Sequence, residues 1–197
     1  HGLFGIYELP GHVSIALSFF VYVVLVNAFN LIDGVDGLAG GIGLIAAITY
    51  GVWLYLAGDV ANALLAFVLA GALLGFLVFN WHPARIFMGD SGSLIIGAII
   101  AVLAMKVVDH DTSRLPTYLK QIPTPIFAMA VVAYPLVDTL RVFVYRMARG
   151  VSPFAADRNH IHHRLMALGL GHRRVTGLLY LYAMAVIALS LVTRSWH

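Results

Sequence analysis

The chain has 197 residues, of which 61% are hydrophobic and 11% charged, with no cysteine and a formal net charge of +3. Soluble proteins carry about 25% charged residues, so this composition, with a mean hydropathy of +0.91, argues against an ordinary soluble domain; a large buried all-α core is the alternative. The missing cysteines exclude disulfide frameworks and thiolate chemistry, and basic residues gathered mostly in one loop region indicate membrane topology rather than a nucleic-acid partner.

His1 is followed almost at once by an apolar run with no charged leader, so the chain reads as part of a longer one. Six segments are near the roughly 20 residues a helix needs to cross the hydrocarbon core. The first, Val13–Phe29, runs into Asn27-Ala-Phe-Asn30-Leu-Ile-Asp33-Gly34-Val-Asp36-Gly37-Leu-Ala-Gly40. Acids and carboxamides at the end of a span are costly unless they meet water, a cation or a partner. Continued helix would turn Asn27 and Asp36 to opposite sides, whereas Gly34 and Gly37 can break it and let Asp33 and Asp36 face one cavity. Such oxygens suit Mg²⁺; a capped helix end with solvated acids is the alternative. Gly40, Gly41 and Gly43 open the second span, Leu38–Ala57, and are read as close-packing positions in preference to a phosphate cradle.

After the turn at Gly58-Asp59 comes a third span, Val60–Phe79, and then Phe79-Asn80-Trp81-His82-Pro83-Ala84-Arg85-Ile-Phe-Met-Gly89-Asp90-Ser91-Gly92-Ser93. Asp90 stands where a helix begins, which leaves N-cap and metal ligand both open. Free N–H groups there also favour phosphate. His82, beside Trp81, reads as an interfacial residue. The fourth span is Ser93–Val108 and the fifth Ile126–Tyr145, where Asp138 and Arg141, three apart, are expected to pair. The following loop holds Gly150-Val-Ser-Pro-Phe-Ala-Ala-Asp157-Arg158-Asn159-His160-Ile-His162-His163-Arg164-Leu165. Its arginines and histidines can bind a sugar diphosphate, or, with Asp157, a zinc ion. Val175–Thr193 is the sixth span.

The reading is therefore an all-α, polytopic integral membrane protein, with about six transmembrane helices in a single membrane domain over residues 1–197. Loops alternate sides, so Asn30–Gly37, Asn80–Gly92 and Arg146–Arg174 share one face. They carry Arg85, Arg146, Arg149, Arg158, Arg164, Arg173 and Arg174, which places them in the cytoplasm by the positive-inside rule.

The three motifs NAFNLIDGVDGLAGG, FNWHPARIFMGDSGS and SPFAADRNHIHHRL together resemble the polyprenyl-phosphate N-acetylhexosamine-1-phosphate transferases, most closely the bacterial undecaprenyl-phosphate N-acetylglucosamine-1-phosphate branch. The resemblance covers essentially the whole chain. It implies a Mg²⁺-dependent enzyme (Mn²⁺ the other candidate) in the bacterial inner membrane, with its site on the cytoplasmic face. Its partners would be a UDP-N-acetylhexosamine, undecaprenyl phosphate and the lipid bilayer, no nucleic acid is implied, and a homodimer is compatible. The reaction would move the sugar 1-phosphate to the lipid and release UMP, feeding lipid-linked cell-envelope glycan synthesis. Carried over by motif, Asn30 and Asp90 are metal ligands and Asp33 and Asp36 active-site acids. Asn80, Arg158, His160, His162, His163 and Arg164 are substrate-binding. The H-x-H-H-R form resembles the N-acetylglucosamine branch; phospho-N-acetylmuramoyl-pentapeptide transferases have an acidic residue after the histidines, unlike Arg164 and Leu165. Family members also carry an earlier half with an adjacent aspartate pair. No such pair occurs here, so the chain is expected to be the C-terminal part of a larger transferase, inactive alone. Rival classes are a non-catalytic scaffold derived from this family and an ion-coupled transporter, the latter expected to show midplane acids and paired broken helices.

Overall fold

The computed structural model describes residues 10–111, 115–150 and 160–192. Its helices are α1 (Gly11–Leu31), α2 (Leu38–Leu56), α3 (Val60–Asn80), α4 (Gly89–Asp109), α5 (Thr117–Lys120), α6 (Thr124–Val131), α7 (Ala133–Ala148), α8 (Ile161–Ala167) and α9 (His172–Val192). Five of them, α1 to α4 and α9, are long and apolar enough to cross a membrane, and the α6–α7 pair supplies a sixth if taken as one span. The protein is an all-α polytopic membrane protein.

Local sequence sets the breaks. Asp59 starts α3 by accepting from the Asn62 N–H at 3.2 Å, which satisfies one of the orphan donors of the first turn. Gly37 has φ +77° and turns the chain into α2, a conformation that side chains with a Cβ rarely adopt. The turn at 32–37 is thereby held at the bundle end between α1 and α2.

The fifth predicted span needs correction. Rather than one helix over Ile126–Tyr145, the chain forms α6 and α7, bent by 76° at Val132. Pro135 has no N–H to return to the carbonyl four residues earlier, and it is tolerated in the first turn of a new helix. Position 132, at φ −106° and ψ 18°, has left helical geometry.

In α2, 67% of the most apolar window is buried, against 17% in α1. α2 is therefore the central helix, while α1 turns most of its apolar surface outward. Lipid tails are as apolar as leucine, so such helices associate by close packing rather than by a hydrophobic drive. The glycines of α2 serve this. A Cβ on Gly41 would overlap the Tyr180 ring and hydroxyl of α9, and one on Gly43 would stand 2.9 Å from Ile96 of α4. A Cβ on Gly40 would stand 3.1 Å from Leu77 and 3.3 Å from Phe76 of α3, so the packing reading of all three holds. Between α1 and α4, a Cβ on Gly97 would stand 2.8 Å from the Val26 Cα; these two backbones nearly touch. Tyr50, fully buried, donates to the Ala128 carbonyl at 2.7 Å and ties α2 to α6.

Candidate active site

The close approach of α1 and α4 brings Asn30, in the last turn of α1, against the first turn of α4. The Asn30 carboxamide donates to Asp90 Oδ1 at 3.1 Å and to Ser93 Oγ at 3.0 Å. Asp90 is exposed, and the start of α4 has no side-chain cap. The cap reading of Asp90 thus finds no support in the geometry. Asp33, in the turn after α1, accepts from the Gly89 N–H at the head of α4. Burial pushes its carboxyl up, the Gly89 bond pulls it down, and the neighbouring Asp90 charge pushes it up again, to about 6. Neither Asp33 nor Asp90 has a cationic side-chain partner among the described residues. Two carboxylates and a carboxamide therefore share one end of the bundle with no counter-charge from a described side chain.

A second group of contacts locks the 32–37 turn to the loop after α3 and to the head of α9. Asp36 Oδ2 lies 2.6 Å from His82 Nδ1 and 3.2 Å from the Ala84 N–H, which donates to it. His172 Nδ1 lies 3.9 Å from the same oxygen, and the His82 and His172 rings stack with centroids 4.8 Å apart. Burial opposes ionisation of Asp36, but hydrogen bonds from His82 and Ala84 and the nearby imidazoles outweigh it and hold the carboxyl below its usual range. Thr176 Oγ1 donates to the Asp36 carbonyl at 3.1 Å, and the Tyr180 hydroxyl donates to the Gly37 carbonyl. Arg173 Nε donates to the His82 carbonyl at 3.0 Å. Asn80 is buried; it accepts from the Gly37 N–H at 2.9 Å and donates to the Ile86 carbonyl at 2.8 Å.

The histidine motif forms a third group. Asp138 of α7 is fully buried and accepts from the Ile161 N–H at 2.8 Å, with His160 Nδ1 at 3.1 Å and the expected partner Arg141 at 3.7 Å. His160 and His162 stack, nearly parallel, with centroids 5.5 Å apart. His162 is fully buried under the site turn: a Cβ on Gly34 would stand 2.8 Å from its Nε2. Burial lowers its imidazole, the neighbouring His163 adds to this and Asp138 opposes it, with the outcome about 4. His162 is therefore neutral at physiological pH.

The structure brings Asn30, Asp33 and Asp90 together and sets Asp36 on the adjoining side of the same turn. Asn80 is buried, its carboxamide taken up by the Gly37 and Ile86 backbone. His160 and His162 are buried, His163 is half-buried and Arg164 exposed; Arg158 and Asp157 lie outside the described residues. Two residues with contacts at the site escaped sequence reasoning. His82 reads from the sequence as interfacial, and His172 carries no local signal beyond the basic run Gly171-His172-Arg173-Arg174 at the head of a span.

Residues 1–108 match the model of Glycosyl transferase family 4. The decaprenyl-phosphate N-acetylglucosaminephosphotransferase of Mycobacterium tuberculosis is 39% identical over 180 residues, covering 86% of this chain and 45% of that protein. A probable undecaprenyl-phosphate N-acetylglucosaminyl 1-phosphate transferase of Bacillus subtilis is 37% identical over 185 residues, covering 94% and 49%. The undecaprenyl-phosphate alpha-N-acetylglucosaminyl 1-phosphate transferase of Escherichia coli is 29% identical over 200 residues, covering 99% and 52%. The chain spans about half the length of the curated relatives it matches.

Proposed function

The chain belongs to glycosyl transferase family 4, and from that premise we propose that its protein transfers N-acetylglucosamine 1-phosphate from a UDP-sugar to undecaprenyl phosphate. The observation that carries the reading is the meeting of Asn30 with Asp90, 60 residues apart and 3.1 Å from each other, beside Asp33. An oxygen of the lipid phosphate attacks the β-phosphorus of the UDP-sugar, the bond to the UMP oxygen breaks, and UMP leaves. The work of the site is to position two anions and offset the charge on the group in transit. A span end is the right place, since the acceptor's chain stays in lipid while its phosphate meets a soluble nucleotide. The arginines on the loops of this face support a cytoplasmic site under the positive-inside rule.

The donor set fits a hard divalent cation. Mg²⁺ takes one or two carboxylates, phosphate oxygens and water, and no described cationic side chain offsets Asp33 or Asp90, which supports such a counter-ion. Asp90 and Asn30 would hold it, the latter after a half-turn of its carboxamide that presents Oδ1 to the same space. When bound, the ion supplies Lewis-acid polarisation of the diphosphate. Asp33 would take a proton from the acceptor phosphate, a role supported by the burial that raises its carboxyl to about 6. Asp36 and Asn80 act as braces that keep the turn in register. His163 and Arg164 offer donors to the diphosphate, with Arg158 of the same loop, while His160 and His162 form the floor below Gly34.

The test is Asp90→Asn in the full-length protein, reconstituted and assayed for UMP release across a magnesium titration. Because Asp90 makes no cap bond, the variant should keep its thermal midpoint. It should lose at least about 10²-fold in turnover, the several kcal/mol a bound cation contributes. Near-normal turnover with unchanged magnesium dependence would overturn the assignment.

A further inference from the structure

We propose that Asp36, His82 and His172 form a second metal site, separate from the oxygen donors at Asn30 and Asp90, that takes a borderline divalent cation such as Zn²⁺. One carboxylate oxygen and one nitrogen from each ring lie within 4.8 Å of one another. The donors come from three elements: the turn after α1, the loop after α3 and the first residue of α9. Both rings present Nδ1 to the same Asp36 oxygen, at 2.6 and 3.9 Å. In a tetrahedral site with bonds of about 2.0–2.1 Å, ligand atoms stand roughly 3.3 Å apart. Reaching that spacing asks His82 to withdraw by several tenths of an ångström and His172 to approach by a similar amount. His82 and His172 are 38% and 39% exposed at their side chains, so an ion and a completing water can enter.

Two features separate this cluster from an ordinary structural Asp–His pair. His172 Nδ1 is buried and has no hydrogen-bond partner among the described residues, although it points toward the carboxylate. A purely structural histidine there would leave a buried polar atom unsatisfied, at a cost of about 1–3 kcal/mol. The second feature is that Nδ1 of both rings approaches one and the same carboxylate oxygen, from elements far apart in the chain. Two imidazoles and a carboxylate suit zinc and neighbouring transition metals, whereas Mg²⁺ favours all-oxygen surroundings. On binding, His82 ligates through Nδ1 as the neutral ring, its one proton carried on Nε2, and the metal stands where the hydrogen bond to Asp36 was. Arg173 does not compete for the carboxylate, because its Nε is turned to the His82 carbonyl. The proposal does not depend on the transferase reading.

The test uses full-length protein carrying no histidine tag, stripped with chelator and titrated with Co²⁺ and then Zn²⁺ in excess Mg²⁺. One Co²⁺ per chain with visible d–d absorption, displaced by Zn²⁺ and not by Mg²⁺, is expected. His172→Ala and His82→Gln should each weaken binding by at least the roughly 10–100-fold that even an outer-shell loss costs, while His163→Ala should bind as the parent does. Should His82→Gln fail to fold, His172→Ala decides alone, since its Nδ1 makes no hydrogen bond to a described residue. Absence of Co²⁺ binding, or binding that survives His172→Ala, would overturn the proposal. So would binding lost equally in His163→Ala, which would place the ion in the histidine motif instead.

Discussion

Gly97→Ala should damage the candidate site from a helix turn away. The added Cβ would stand 2.8 Å from the Val26 Cα and 3.1 Å from the Leu25 and Val26 carbonyl oxygens. Carbon atoms normally rest about 3.5–4.0 Å apart, and these are backbone atoms with no rotamer to change. α1 and α4 must therefore part locally by close to about 1 Å, an overpacking that costs about 1–3 kcal/mol. Asn30 follows Val26 by one turn of α1, and Ser93 precedes Gly97 by one turn of α4. The Asn30 bonds to Asp90 and Ser93, 3.1 and 3.0 Å now, would then lie beyond hydrogen-bond reach. A displacement of about 1 Å at reacting groups can lower turnover about 10²-fold. The assay pairs initial rates of UMP release with thermal midpoints in one detergent, the rates taken well below the midpoint. Gly75→Ala is the control, since a Cβ there meets nothing within 4 Å. It should match the parent or gain up to about 1 kcal/mol from better helix propensity. Gly97→Ala with parental rate and midpoint would refute the coupling of this helix contact to the site.

His162 is neutral in the fold because burial lowers it from 6.5 to about 4. The unfolded chain therefore binds the extra proton first, so this stabilising contribution is complete above pH 6.5 and is lost as pH falls toward 4. The full loss is roughly 3 kcal/mol, read as a falling thermal midpoint on acidification; His162→Gln should show a shallower fall, and an identical one would refute it. Asp138→Asn removes the charge facing His160 and should cost about 1–3 kcal/mol of stability, measured as a lower midpoint, while a parental midpoint would count against Asp138 as the anchor of the motif. Single cysteines at Ser91 and Val60, both exposed, should react with an impermeant reagent from opposite sides of the membrane. Labelling from one side would break the proposed topology.

Much of this was legible in the sequence, for definite reasons. Apolar runs set α1 to α4 and α9 within a few residues, because length and hydropathy are properties of each segment alone. The polar residues at the ends of spans one and three announced a shared face, and Asn30 does meet Asp90. The 76° bend between α6 and α7 was hidden, since the stretch stays apolar through Val132 and contains no glycine there. Pro135 was the available signal, three residues past the break. The burial within the histidine motif was hidden for a different reason. Its run of donors suggests an exposed binding loop, but Asp138, 22 residues earlier, draws His160 inward. Which way a side chain faces depends on that distant partner. Likewise Asp36 was legible as a functional acid, whereas its contact with His172 comes from the docking of α9 and has no trace in local spacing.

The brace around Asp36 also orders events during synthesis. A ribosome delivers α1, the 32–37 turn and α4 long before α9, so Asn30, Asp33 and Asp90 can enter the membrane and meet while the last span is still being made. Asp36 then has its contacts with His82 and Ala84, but its carbonyl lacks Thr176, Gly37 lacks Tyr180, and His172 has not arrived. The docking of α9 is thus the step that fastens a nascent turn already carrying its oxygen donors. A stalled or truncated product ending before His172 would hold those donors on a turn fastened from the α3 side alone, without the contacts that α9 adds.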